Sequence, residues 1–181
     1  SVSVVKVGNE GYSAPEYEYF YMDMYSNYYN MYYQYYGEYA QYFMPDEETL
    51  KQDTLENMQQ VTILYDEAQE VGFEAPEEMQ DLIEESVDTM KEAVSESGYT
   101  SLNSYLAAYF GKGMNEKLYR SLLEKSYIAS YYYEELRDSW EYTDDEIETY
   151  YSEHKNEMDT FVYYYKYFDG AAVEDDEETE E

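Results

Sequence analysis

The sequence predicts a mainly α-helical protein, about six helices closed by a small sheet in which an N-terminal strand pairs with a C-terminal one. Three observations predict it. Tyrosine, methionine and leucine recur at three- and four-residue steps through most of the chain. Ser, Asp, Asn and Thr residues suited to helix N-caps stand ahead of these runs, and Gly stands behind several of them. Only the two flanking stretches are β-branched or aromatic without helical spacing.

Val2 to Val7 reads as the first strand, and Gly8-Asn9-Glu10-Gly11 as the turn after it, because Gly and Asn tolerate positive φ. Ser13 followed by Glu16 is a capping box, and Pro15 suits a first helical turn, so a helix should start here and run towards Met44. Along it Tyr17, Tyr21, Met24, Tyr28, Tyr32, Tyr35, Tyr39 and Tyr42 form a continuous stripe. Tyr25, Tyr29, Tyr33 and Tyr36 widen it past half the circumference. A stripe so wide implies that the helix is covered on more than one side.

Pro45 breaks this run, and Asp46 can cap a second helix through about Glu70, with Leu50, Leu55, Met58, Val61, Ile63, Leu64 and Ala68 as its apolar positions. Gly72 ends it. A third helix begins at Pro76, carries Met79, Leu82, Ile83, Val87, Met90 and Val94, and stops at Gly98. Thr100 or Ser101 caps a short helix from Leu102 to Phe110. Asn115 caps a long one with Leu118, Leu122, Leu123, Tyr127, Ile128 and Tyr131 on one face. Thr143 with Glu146 starts the last, through about Asn156. Thr160 to Phe168 is the expected closing strand, and the terminal EDDEETEE an acidic disordered tail. The expected division is one helical module over 1–170 and the tail over 171–181.

Charge narrows the functional classes. Against 10 basic side chains stand 43 acidic ones, a net charge of −33. Phosphate backbones and anionic lipid headgroups would be repelled, so nucleic acid is excluded as a partner, and docking to an anionic membrane surface with it. No run approaches the about 20 apolar residues of a membrane span. High charge alone fits salt adaptation or disorder, but 29 tyrosines among 181 residues and clear helical periodicity fit neither. There is no cysteine, which removes disulfides, thiolate metal sites and thiol nucleophiles.

The side chains offer little for catalysis. His154 is the single histidine, and near the end of a helix its plain role is a surface one. Pairs such as Glu84-Glu85 and Asp144-Asp145 read as solvated charge rather than the cleft-spanning carboxylates of a glycosidase. Gly111-Lys112-Gly113 is too short for a phosphate loop. No cofactor and no metal is expected. The tyrosines remain. A domain of this size cannot bury them all, and tyrosine binds chemically varied chains well through its large contact area, polar hydroxyl and small entropy loss. The nine methionines add an adaptable surface.

The opening VVKVGNEGYSAPEYEYFY, the middle GYTSLNSYLAAYFGKGMNEKLYRSLLEKSYIASYYYEEL and the closing YTDDEIETYYSEHKNEMDTFVYYYKYF together resemble, in that order, the chaperone module of the SurA/PrsA-type extracytoplasmic foldases. The resemblance implies a helical module that holds unfolded or newly secreted polypeptides outside the cytoplasm, as a cell-surface lipoprotein of a Gram-positive bacterium whose lipid anchor lies outside this chain. In that family a parvulin-type prolyl isomerase domain often follows or is inserted. FVYYYKYF offers no histidine for it, and isomerase activity of this chain is not expected. The abrupt start is read as a processed or trimmed N-terminus. The expected polypeptide-binding residues are Tyr25, Tyr28, Tyr29, Tyr32, Tyr33 and Tyr36 of the first helix, with Tyr131, Tyr132 and Tyr133 as an opposite wall. A glycan-stacking platform and a homodimer seam are the alternative uses of the same rings.

Overall fold

The structure, a computed structural model, describes residues 2–160. The chain divides into two compact units, Ser1–Trp140 and Glu141–Glu181.

The first unit opens with a hairpin. Strands β1 (Ser3–Val7) and β2 (Glu10–Ser13) pair antiparallel, with Val5 opposite Tyr12 and Val7 opposite Glu10. Gly8, at φ +58°, takes the first of the two turn positions, where a side chain would be strained. Glu10 and Gly11, expected in the turn, therefore belong to the second strand. At Gly11 an added Cβ would stand 2.7 Å from the Ser3 hydroxyl and 3.1 Å from its Cβ, so a side chain here requires the Ser3 side chain to move. The expected partner of β1 was the Thr160–Phe168 segment, which beyond Thr160 lies outside the described residues. The partner the structure gives it is β2.

Helix α1 (Ala14–Tyr36) follows β2 without a loop. Glu16 accepts the Ser13 backbone N–H at 2.7 Å, and Pro15 sits in the first turn. The helix ends at Gly37, φ +55°, well before Met44, and a 3-10 turn over Gly37–Tyr42 begins the reversal. Asp46 then caps α2 (Glu47–Val71), accepting the Thr49 N–H at 2.8 Å, and left-handed Gly72 closes it. Next come α3 (Glu78–Ser97), α4 (Leu102–Tyr109) and α5 (Glu116–Ser139). The start of α5 is fixed twice: Asn115 takes the Leu118 N–H, and Asn103 of α4 takes that of Glu116 at 2.8 Å.

The core lies along the α2–α5 interface, with α3 and α4 on its flank. Met58, Ala68, Val87, Leu106, Phe20 and Leu122 are among its buried members. Arg120 of α5 reaches Glu84 of α3 through two hydrogen bonds of 2.6 and 3.0 Å. On α2 the buried face differs from the apolar count. Leu50, Thr54, Met58 and Thr62 point inward, whereas Leu55 and Ile63 are exposed. Each threonine hydroxyl donates to the carbonyl four residues earlier at 2.6 Å, so it enters the core with its hydrogen-bonding satisfied.

One charged residue also enters the core. Lys125 of α5 donates to Glu10 and, at 2.7 Å, to the Tyr12 hydroxyl, and Tyr12 in turn shares a hydrogen bond with Thr62 of α2. The ammonium lies 5.0 and 5.2 Å from the ring centroids of Tyr12 and Tyr65. Burial opposes the charge. Bonding to Glu10 and Tyr12 outweighs it and holds the ammonium above the usual lysine range.

The described part of the second unit is α6 (Asp144–Met158). It is capped by Thr143, which exchanges hydrogen bonds with Glu146. The His154 ring stacks on Tyr150 with centroids 4.0 Å apart, and its Nδ1 lies 2.9 Å from the Tyr150 carbonyl. No described helix is long and apolar enough to cross a membrane.

Replacing Lys125 by Ala should destabilise the first unit by about 2 kcal/mol, the scale of a lost charged hydrogen-bond set. A unit of this size should then melt roughly 4–8 °C lower. Tyr12→Phe, which keeps the ring, should lose about half of that. Thermal unfolding followed by circular dichroism measures both.

Candidate functional site

Only the first turns of α1 belong to the core, through Pro15, Tyr19 and Phe20. Past Asp23 no residue of the helix is buried. From there to Gly37 it runs beside the N-terminal half of α2 and the 3-10 turn, forming a narrow arm. Beyond Asp23 the arm's inside is small: Ala40 and Leu50 are buried, and the Tyr28 hydroxyl donates to Asp53 of α2 at 2.7 Å.

Rings four residues apart on a helix are neighbours, and here they form ladders. Tyr28 and Tyr32 stack at 6.3 Å between centroids, Tyr29 and Tyr33 at 5.9 Å. Phe43, returning from the 3-10 turn, stacks on Tyr36 at 3.8 Å with planes 15° apart. Tyr32 has Tyr28, Tyr36 and Phe43 as ring neighbours, so the rings support one another along the arm. Tyr35, Tyr39 and Tyr42 are 77, 68 and 75% exposed, and Met31, Tyr33, Tyr36 and Phe43 are exposed beside them. Among the described residues nothing covers this aromatic surface, and an apolar patch left open in this way commonly marks an interaction site.

The expected site residues divide accordingly. Tyr25, Tyr33 and Tyr36 are exposed on the arm, and Tyr28, Tyr29 and Tyr32 are half-buried in its ladders. The opposite wall does not form as expected. Successive residues on a helix point about 100° apart, so Tyr131, Tyr132 and Tyr133 cannot share a face. Tyr132 is 5% exposed and packs edge-on against Phe73, which makes it core. Tyr131 is half-buried against the core, and Tyr133 alone turns to an open cavity. Tyr35, Tyr39 and Tyr42, counted in the continuous stripe expected to be covered, are the most exposed rings on the arm. For Tyr39 and Tyr42 the signal was Gly37, where the helical period stops applying; Tyr35 lies within α1 and carried no such signal.

Two cavities meet where the arm leaves the body. The larger, about 650 Å³, lies between α1, α2 and α5, with Asp23, Val61, Leu64, Ser126, Ser130 and Tyr133 in its walls. The smaller, about 270 Å³, is lined by Tyr19, Asp23, Tyr109, Phe110, Tyr119 and Tyr127 among others. Asp23 borders both. Burial raises the Tyr19 hydroxyl above the usual tyrosine range and pushes that of Tyr119 up to about 12.

No protein-family model, curated protein or solved structure matches this chain.

The pH response of this region has a definite sign. Unfolded tyrosines ionise near 10. Tyr12, Tyr19 and Tyr119 hold their protons longer when folded, so above that pH the unfolded state gains by releasing them first. Lys125, also raised, loses its contribution in the same direction as its ammonium deprotonates. Thermal stability should therefore fall steeply as pH rises from about 10 towards 12, with phenolate absorbance of the buried rings appearing together with unfolding. A melting temperature that stays level across this window would contradict the burial of these three rings.

Proposed function

We propose that this chain binds unfolded or newly secreted polypeptides outside the cytoplasm, holding them on the tyrosine- and methionine-rich surface of the α1 arm. The observation that carries this reading is the run of uncovered rings on the arm, from Tyr33 through Phe43, on a chain with a net charge of −33. Exposed aromatics would ordinarily draw copies of a protein together. Self-repulsion at this charge opposes that and leaves the surface free for a partner of opposite sign. Tyrosine and methionine accept varied side chains without demanding a fixed shape, as an unfolded client requires. The resemblance of the ordered segments to SurA/PrsA-type modules supports the extracytoplasmic, lipid-anchored setting.

The test is aggregation of a chemically unfolded, basic model protein in the presence of this chain. Suppression near equal molarity is expected, weakening at high salt as the charge attraction is screened. Replacing Tyr33, Tyr35 and Tyr39 together by Ser should weaken client affinity about tenfold or more while leaving the melting temperature nearly unchanged, because these rings are exposed. No suppression at several-fold excess would remove the proposal. A molar mass of two chains by light scattering, or binding on a glycan array, would turn the rings over to a homodimer seam or a sugar platform.

A further inference from the structure

The smaller cavity at the root of α1 has a composition that the polypeptide-binding reading does not by itself require. Its walls are aromatic or sulfur-bearing apart from serines, one leucine and a single charged group, the Asp23 carboxylate. In a chain with 43 acidic side chains, a pocket with one carboxylate and no second acid beside it is a localised feature rather than part of the general field. Among the described residues no Lys or Arg pairs with Asp23. Its bonded partner is the neutral amide of Asn27, at 3.3 Å. Asp23 keeps part of its surface in solvent, yet the protein packed around it still holds its carboxyl above the usual aspartate range. Its negative charge is thus poorly compensated from within the chain.

We infer that this cavity seats one cationic side chain, Arg or Lys, of a bound polypeptide, with Asp23 as its counter-ion and the tyrosine rings as its walls. The inference rests on the polypeptide-binding reading and names the feature of the client that the site selects. Three observations converge on it. Tyr19, Tyr109, Tyr119 and Tyr127 line a space of about 270 Å³, large enough for one long side chain. Aromatic walls with one carboxylate favour a cation over a neutral group of the same shape, most of all for a guanidinium, which is weakly hydrated and stacks. The larger cavity also borders Asp23 and has Val61, Ile63, Leu64 and Ala129 among its walls, so residues adjoining the cation find apolar as well as polar surface there. A segment laid from the arm into this junction would meet rings first, then Asp23.

Anisotropy of two fluorescently labelled, unstructured peptides tests this at physiological salt, where long-range attraction is largely screened. They are rich in aromatic and small residues and identical except that one carries arginine where the other carries its neutral isostere citrulline. The native chain should bind the arginine peptide about tenfold more tightly. Asp23→Asn should remove most of that preference. Glu134→Gln, which removes one charge from an exposed position on α5, should leave it intact. The Asn variant should fold at least as stably as the native chain, because a carboxyl whose pKa is raised on folding is a destabilising charge at neutral pH. Equal binding of the two peptides, or equal losses from the two substitutions, would overturn the Asp23 seat and leave the arm reading standing. Failure of both peptides to bind would remove both.

Discussion

The Lys125 ammonium is the point on which the arrangement depends. It joins β2, α2 and α5 through Glu10, Tyr12 and Thr62, groups far apart in the chain. Because β2 passes directly into α1 at Ser13, fixing the hairpin on α5 also fixes where α1 starts and in which direction it leaves. A buried ammonium is tolerated only when its bonds are made, and here the Glu10 carboxylate, the Tyr12 hydroxyl and the nearby Tyr65 ring complete them. The stability contributed is modest. The geometric consequence is larger: Tyr19 and Phe20 enter the core, Asp23 reaches the edge of the body, and everything beyond projects from it.

The arm is thus a helix longer than its core. Its inner contacts are few, and its rings are held mainly by one another. The ladders brace the rings against one another, and Tyr33, Tyr35, Tyr36, Tyr39, Tyr42 and Phe43 still stay exposed. Rigid, exposed aromatic groups pay little entropy on binding, which is the same reason tyrosine dominates the contact loops of antibodies. The surrounding carboxylates supply what the rings lack, solubility and a preference for partners of opposite charge.

Much of the fold was legible because it is written in local chemistry. Ser13, Asp46, Asn115 and Thr143 were expected as caps and act as caps, since a cap needs only its own next three residues. What depended on distant partners was not legible. Nothing near Lys125 in the sequence announces a buried charge, because Glu10 lies 115 residues away. Thr54 and Thr62 look polar until their hydroxyls are seen bonded to their own helix. At the candidate site, the richness of the first helix in binding-competent rings was readable, but which rings face outward was not. Tyrosine at a regular step carries the same period whether it faces a core or solvent, and Gly37 ends that period in the middle of the run. Tyr131 to Tyr133 failed as a wall for a simpler reason, that consecutive residues on a helix diverge.

Hydrogen–deuterium exchange of the chain with and without an unfolded basic client tests the central claim most directly. The account predicts slowed exchange confined to the arm and its root, residues 23–44, with the α2–α5 core unchanged. Protection mapping elsewhere, or an arm already protected in the absence of client, would contradict it.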